Sequence, residues 1–251
     1  MPRPRVAIFD FAGCEGCQLQ IVNLEEALLD LLRVVDVVEW REAMSEQSDV
    51  FDIAVVEGAI TRLEDEERLK RIRQKAPVLV ALGSCASSGG LNKLKNRMAM
   101  SEARRLVYGR DGGVSRLDTA PVKAVSEVVK VDYLVRGCPI DRREFSYVVR
   151  CLALGREPFI PGYPVCVECR IRENACRWQE GEICLGPLTR AGCGAACPAQ
   201  GAACLGCRGT CDDANLEGMA SVLAQYGKSR EELESRLAVF LDPDGKGVSH
   251  A

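Results

Sequence analysis

Residues 77–85 read PVLVALGSC. After the proline the run is wholly apolar, rich in valine and leucine, with no alternation of polar and apolar positions. A strand of that kind is buried on both faces, which points to a parallel sheet held between layers of helices. The run stops at Gly83, where the backbone can turn tightly, and Cys85 follows at once. The same order of apolar run, glycine and cysteine recurs in residues 5–17, RVAIFDFAGCEGC, and in residues 132–139, DYLVRGCP. Residues 34–40 and 52–56 supply two further valine- and isoleucine-rich strands. Between the strands, residues 18–32 carry Leu19, Val22, Leu24, Ala27, Leu28 and Leu31 at helical spacing. Residues 63–75 form a charged amphipathic helix, and residues 141–154 form another with Asp141 as its N-cap. Residues 91–122 are less regular, with a helix near 101–107 and a loop at 109–113. This alternation predicts an α/β fold, a flavodoxin-like doubly wound parallel sheet over residues 1–158.

From residue 159 the character changes. Pro161, Gly162 and Pro164 read as a linker, and residues 166–211 then hold nine cysteines with little apolar periodicity. Such a segment is expected to lack an adequate side-chain core and to rely on metal ligation instead. Residues 216–226 and 230–241 read as two closing helices, the second opened by a capping box of Ser229 and Glu232. Residues 159–251 are therefore predicted to be a small cysteine-rich module with C-terminal helices.

Composition narrows the function. A formal charge of −3 and the lack of long basic runs argue against nucleic acid as a partner. Lys93, Lys95 and Arg97 sit in a mixed-charge stretch and read as a solvated face. There is no signal-peptide pattern at the N-terminus and no apolar run long enough for a membrane span, so a cytoplasmic chain is expected. In a reducing compartment the 14 cysteines point to metal rather than to disulfides. The one histidine, His250, lies next to the C-terminus, where disorder is expected. Its isolation excludes Cys/His zinc fingers, Ser–His–Asp triads and Cys–His nucleophilic pairs.

On the predicted sheet, Cys14, Cys17, Cys85 and Cys138 all fall just beyond the carboxyl ends of strands, where such sheets gather ligands. A redox dithiol at Cys14 and Cys17 would leave Cys85 and Cys138 unexplained. Cys151, inside a helix, reads as a small hydrophobe. The second group is Cys166, Cys169, Cys176, Cys184, Cys193, Cys197, Cys204, Cys207 and Cys211. Eight thiolates can hold two four-iron clusters or two zinc ions, and spacing alone does not decide between them. A four-cysteine site at strand ends is unusual for zinc and favours iron–sulfur; a zinc-stabilised binding module is the alternative from another class.

The residues from Gly13 to Gln20, GCEGCQLQ, resemble the proximal-cluster loop of [NiFe] hydrogenase small subunits. Val56–Glu57–Gly58, Gly83–Ser84–Cys85–Ala86 with Gly89–Gly90, and Gly137–Cys138–Pro139 follow in that family's order. Residues 164–169 (PVCVEC), 184–193 (CLGPLTRAGC), Cys197–Pro198 and 204–209 (CLGCRG) resemble the cytoplasmic sulfhydrogenase-type delta subunit and its methanogen relatives. The resemblance implies three [4Fe–4S] clusters: a proximal one on Cys14, Cys17, Cys85 and Cys138, a distal one on Cys166, Cys169, Cys176 and Cys184, and a medial one on Cys193, Cys197, Cys204 and Cys207. It also implies a separate large subunit holding a nickel–iron centre. The acceptor would contain flavin, iron–sulfur groups or both, either a flavoprotein reacting with NAD(P) or a heterodisulfide-reductase-type complex. Periplasmic-type relatives have a histidine where Cys166 stands and a proline where Cys197 stands, while Cys211 matches no ligand position. Glu15 and Glu57 are expected near the proximal cluster or the subunit interface, or else as ordinary polar strand-end residues. The cluster-bearing subunit of respiratory complex I looks similar around the first loop, but it has adjacent cysteines there and lacks the cysteine-rich extension.

Overall fold

The computed structural model describes residues 2–109 and 118–241. In chain order the strands and α-helices are β1 (Arg5–Asp10), α1 (Gly16–Val22), α2 (Glu26–Leu32), β2 (Asp36–Trp40), β3 (Ile53–Glu57), α3 (Leu63–Lys75), β4 (Val78–Leu82), α4 (Gly83–Ser88), α5 (Met100–Tyr108), β5 (Tyr133–Val135), α6 (Arg142–Ala153), α7 (Val165–Ile171), α8 (Ala196–Ala199), α9 (Leu216–Gln225) and α10 (Arg230–Phe240), with 3-10 turns at Gly90–Arg97 and Val125–Glu127. The strands form one five-stranded sheet in the order β2-β1-β3-β4-β5, every pair parallel. That order is the flavodoxin-like one, with the switch point between β1 and β3.

Burial explains why the central strands carry no polar alternation. β3 is buried along its whole length, whereas the edge strand β2 is buried only at Trp40. Alternate residues feed two separate cores. Val6, Ile8, Ile53, Val55, Val80 and Leu82 pack with Phe145, Val148 and Val149 of α6 on one face. Ala7, Phe9, Ala54, Val56, Leu79 and Ala81 pack with Leu69 and Ile72 of α3 on the other. The parallel register sets Asp10 beside Glu57 and Glu57 beside Leu82, so the carboxyl ends of three strands are level.

Three expectations are corrected. The helix expected over residues 18–32 is broken into α1 and α2 at Glu25, whose φ is 55°. Leu19 and Val22 of the expected apolar face are exposed, so the spacing overstated what the helix buries. Second, the tight turn expected at Gly83 is the start of a helix: Gly83–Ser88 form the short α4, which Gly83 opens with φ +82° directly off β4. Third, the cysteine-rich segment does contribute to a side-chain core. Trp178, Ile183, Leu185 and Leu188 are buried against Met219 and Leu223 of α9 and Leu233 and Leu237 of α10. The segment shows no periodicity because it contributes those residues largely from turns, and the two closing helices supply the regular side.

Asp141 caps α6, accepting from the N–H groups of Arg143 and Glu144, and Ser229 with Glu232 forms the capping box of α10. The loop expected at 109–113 lies mostly outside the described residues, as does His250. Among the described residues no helix is long and apolar enough to cross a membrane.

Candidate metal centres

The carboxyl ends of β1, β4 and β5 bring Cys14, Cys17, Cys85 and Cys138 to one edge of the sheet. Burial pushes the Cys85 thiol up to about 11, and the neighbouring Cys138 and Cys14 thiols push in the same direction. Burial likewise raises Cys138, with Cys14 next in effect, and raises Cys17, which feels Glu57 and Cys85. The loops are tied to each other: the Ser84 N–H donates to the Gly137 carbonyl at 2.8 Å. A β-carbon on Gly83 would collide with Cys17 Sγ, so the close approach of α4 to the first loop requires glycine there. Asn92 holds the Ala12 carbonyl at 3.0 Å and lies 3.7 Å from Cys85 Sγ.

Glu57 stands beneath this loop. Its carboxylate is 3% exposed and accepts the N–H of Cys17 at 3.0 Å and that of Gln18 at 3.2 Å. Gln18 in turn accepts from Trp40 Nε1 at 2.7 Å and donates to Glu15. The Glu15 carboxyl is pushed up to about 7 by burial and then by the charges of Glu57, Asp10 and Glu42, with Arg41 opposing. Both carboxylates singled out in the sequence therefore lie at the first thiol set. Gln18 and Ser84 stood in the quoted motifs with no role assigned, while Trp40 and Asn92 carried no sequence signal, because only the sheet edge brings them to the site.

The later cysteines gather in two further sets. Cys166 and Cys169 lie on α7, with Cys176 and Cys184 in the turns that follow. Burial pushes Cys166 up to about 12, and the neighbouring Cys184, Cys169, Cys176 and Cys211 thiols push in the same direction. A β-carbon on Gly186 would stand 3.4 Å from Cys166 Sγ and 3.5 Å from Cys184 Sγ, so these two sulfurs converge on one point. Asn174 lies 3.7 Å from Cys169 Sγ. Burial also holds Cys207 up at about 11; the Cys138 N–H bonds its sulfur and opposes the shift, and Cys193, Cys197 and Cys138 are its thiol neighbours. Cys204 faces both sets. Burial raises it to about 12, Cys184 and Cys207 adjoin it, and its N–H lies 3.3 Å from Cys184 Sγ. Glu168 on α7 accepts from Gly192 and Ala195 and so fixes the turn that carries Cys193.

The other two cysteines differ. Cys151 is half-buried on α6. Cys211 is buried beside Cys166, and its thiol points at the Pro187 carbonyl, 3.6 Å away.

The seam between sheet edge and cysteine-rich segment is polar. Ser84 Oγ donates to the Cys207 carbonyl. Arg208, 1% exposed, makes a bidentate pair with Glu144 at 2.6 and 2.8 Å. It also donates to the Ala191 carbonyl at 2.8 Å and the Arg136 carbonyl at 2.7 Å.

The donors suit soft metals only, being thiols in every set. Among the described residues no three His, Cys, Asp or Glu side chains stand close enough to share one ion. Amide N–H groups aimed at sulfur, from Cys204 to Cys184 and from Cys138 to Cys207, suit the anionic core of a cubane. The residues present fit iron–sulfur clusters.

A family model described as NADH ubiquinone oxidoreductase, 20 Kd subunit, matches residues 14–152. The chain is 37% identical to sulfhydrogenase 2 subunit delta of Pyrococcus furiosus, over 94% of this chain and 98% of that one. It is 31% identical to a vhu subunit of the F420-non-reducing hydrogenase of Methanocaldococcus jannaschii, over 94% of this chain and 93% of that one. Among solved structures it superposes on a chain of an NAD+-reducing [NiFe]-hydrogenase in the H2-reduced state with a TM-score of 0.57 and 28% identity. That match covers 64% of this chain and 96% of the other.

Proposed function

The chain belongs to the NADH ubiquinone oxidoreductase 20 Kd subunit family, among its hydrogenase small subunits, and on that premise we propose that it carries electrons through three [4Fe–4S] clusters. The ligands are Cys14, Cys17, Cys85 and Cys138 for the proximal cluster, Cys193, Cys197, Cys204 and Cys207 for the medial one, and Cys166, Cys169, Cys176 and Cys184 for the distal one. Residues 1–158 form the flavodoxin-like domain, and residues 159–251 form the iron–sulfur module. A separate large subunit with a nickel–iron centre covers the crevice at Cys14 and Cys138, and the complex works in the cytoplasm. At the far end the acceptor is a flavoprotein reacting with NAD(P) or a heterodisulfide-reductase-type complex.

The observation that carries this reading is the spatial order of the thiol sets. The Cys138 N–H bonds the sulfur of Cys207, and Cys204 lies between Cys207 and Cys184. These contacts support three sets that adjoin in that order. Clusters of this kind supply one-electron chemistry when bound. The chain's own part is to fix their spacing, to shield them from water and to direct N–H groups at the sulfurs.

Metal and sulfide analysis of anaerobically purified protein tests the reading. Four thiolates per cubane imply about twelve irons and about twelve labile sulfides per chain. Stoichiometric zinc with negligible sulfide would overturn it.

A further inference from the structure

We propose that the buried Arg208–Glu144 pair positions the proximal and medial thiol sets against each other and that the Arg208 charge raises the reduction potential of the medial cluster. This rests on the cluster assignment above.

Arg208 joins three segments, each bearing a proposed ligand. It follows Cys207 directly. Its Nε holds the Ala191 carbonyl at 2.8 Å, two residues before Cys193. One terminal nitrogen holds the Arg136 carbonyl at 2.7 Å, two residues before Cys138, and the fork closes on Glu144 of α6. A lysine could reach only one of these directions well, whereas the planar guanidinium serves all three at once. The pair also lies against the medial turn: a β-carbon on Gly192, at φ +113°, would strike Arg208 and come within 3.1 Å of Glu144 Oε1.

Stability alone is a weak reason for this arrangement. Burying both charges costs desolvation that well-packed apolar residues of similar volume would avoid. What apolar residues cannot supply is a fixed register between loops and a fixed positive charge beside sulfur. Cys193 and Cys207 are both among the groups that act electrostatically on Arg208. Arg136 and Arg190 lie close enough to repel each other at the same seam. A cluster bound by thiolates gains negative charge on reduction, so a nearby cation favours its reduced form, and charge is one of the levers on such potentials.

The test is a potentiometric titration followed by electron paramagnetic resonance, made on the complex purified with its co-expressed partners. Glu144→Gln leaves the guanidinium uncompensated, and the medial midpoint should shift upward. Arg208→Gln leaves the carboxylate uncompensated, and the midpoint should shift downward. Arg208→Lys keeps the charge but loses the fork, so the midpoint should stay near that of the parent while the magnetic interaction between proximal and medial clusters changes. A purely structural pair would move the midpoints in one common direction or not at all, and either result overturns the inference. If Arg208→Gln does not accumulate, Glu144→Gln and Arg208→Lys decide it: an unmoved midpoint in the first, or an unchanged cluster interaction in the second, refutes it. Failure of the underlying assignment looks different, because the parent complex itself would then lack the three clusters.

Discussion

Glu57→Gln keeps the side chain's shape and removes its charge and one of its two acceptors. In the parent both oxygens are engaged, Oε1 with the Cys17 N–H at 3.0 Å and Oε2 with the Gln18 N–H at 3.2 Å. A hydrogen bond to a charged group contributes about 1.5–3 kcal/mol, and a buried donor left unsatisfied costs about 1–3 kcal/mol. The glutamine amide can satisfy one of the two N–H groups, but it then turns its own N–H2 toward the other. The expected destabilisation is therefore about 3 kcal/mol. At about 2–4 °C per kcal/mol for a chain of this size, the thermal midpoint should fall by roughly 6–12 °C. Because the lost bonds belong to the loop of Cys17, iron content should fall by about a third, the share of one cubane in three. Anaerobic thermal unfolding with parallel iron analysis reads both effects. A midpoint within about 2 °C of the parent, with full iron, would show that this carboxylate does not hold the first loop.

Further outcomes are open to direct measurement. Cys197→Pro removes one thiolate and leaves Cys193, Cys204 and Cys207; the oxidised variant should show the paramagnetic signal of a three-iron cluster, and three intact cubanes would make Cys211 the replacement ligand. Cys151→Ala should cost about 1 kcal/mol of packing and keep all iron. Cys211→Ala should also keep all iron, and loss of a whole cluster there would mean that Cys211 is a ligand. The pH dependence should invert on loading. In the metal-free chain Cys85, Cys166, Cys204 and Cys207 are held at about 11 to 12, above the ~8.5 of an unfolded cysteine. Their contribution to stability is then complete below ~8.5 and is lost as pH rises through 11 to 12. Urea midpoints of metal-free chain should accordingly be lower at pH 10 than at pH 7. Loaded chain, whose thiols have already given up their protons, should instead lose metal as the pH falls.

The sheet was legible because its strands are buried on both faces. β3 and β4 have no solvent side, so an unbroken apolar run is their only possible signature, and the residue after each run marks the sheet edge. That same feature located Cys14, Cys17, Cys85 and Cys138 at one edge from the order of residues alone. The helix over residues 18–32 was misread because periodicity registers apolar spacing and does not register a backbone reversal; Glu25 carries no side-chain signal for its positive φ. α4 was missed because its residues are small and polar, and its helicity comes from the turn off β4. α7 was missed because cysteines occupy the positions where periodic apolar residues would otherwise show. The least legible feature is the Arg208–Glu144 pair. In the sequence these are two charged residues far apart, and each alone reads as surface. Only the docking of the cysteine-rich segment on α6 makes them buried partners.

The third core draws all its described members from Val165 onward, while the first two draw none of theirs from there. In terms of packing, the cysteine-rich extension is a separate block. The interior of the sheet is packed without any residue of that extension, and the family model, which ends at residue 152, lies entirely on the sheet side of that division. What ties the two parts together lies at the surface where they meet. A chain without the extension has no guanidinium to receive Glu144, and the position is then released to be an ordinary solvent-facing residue near the start of α6.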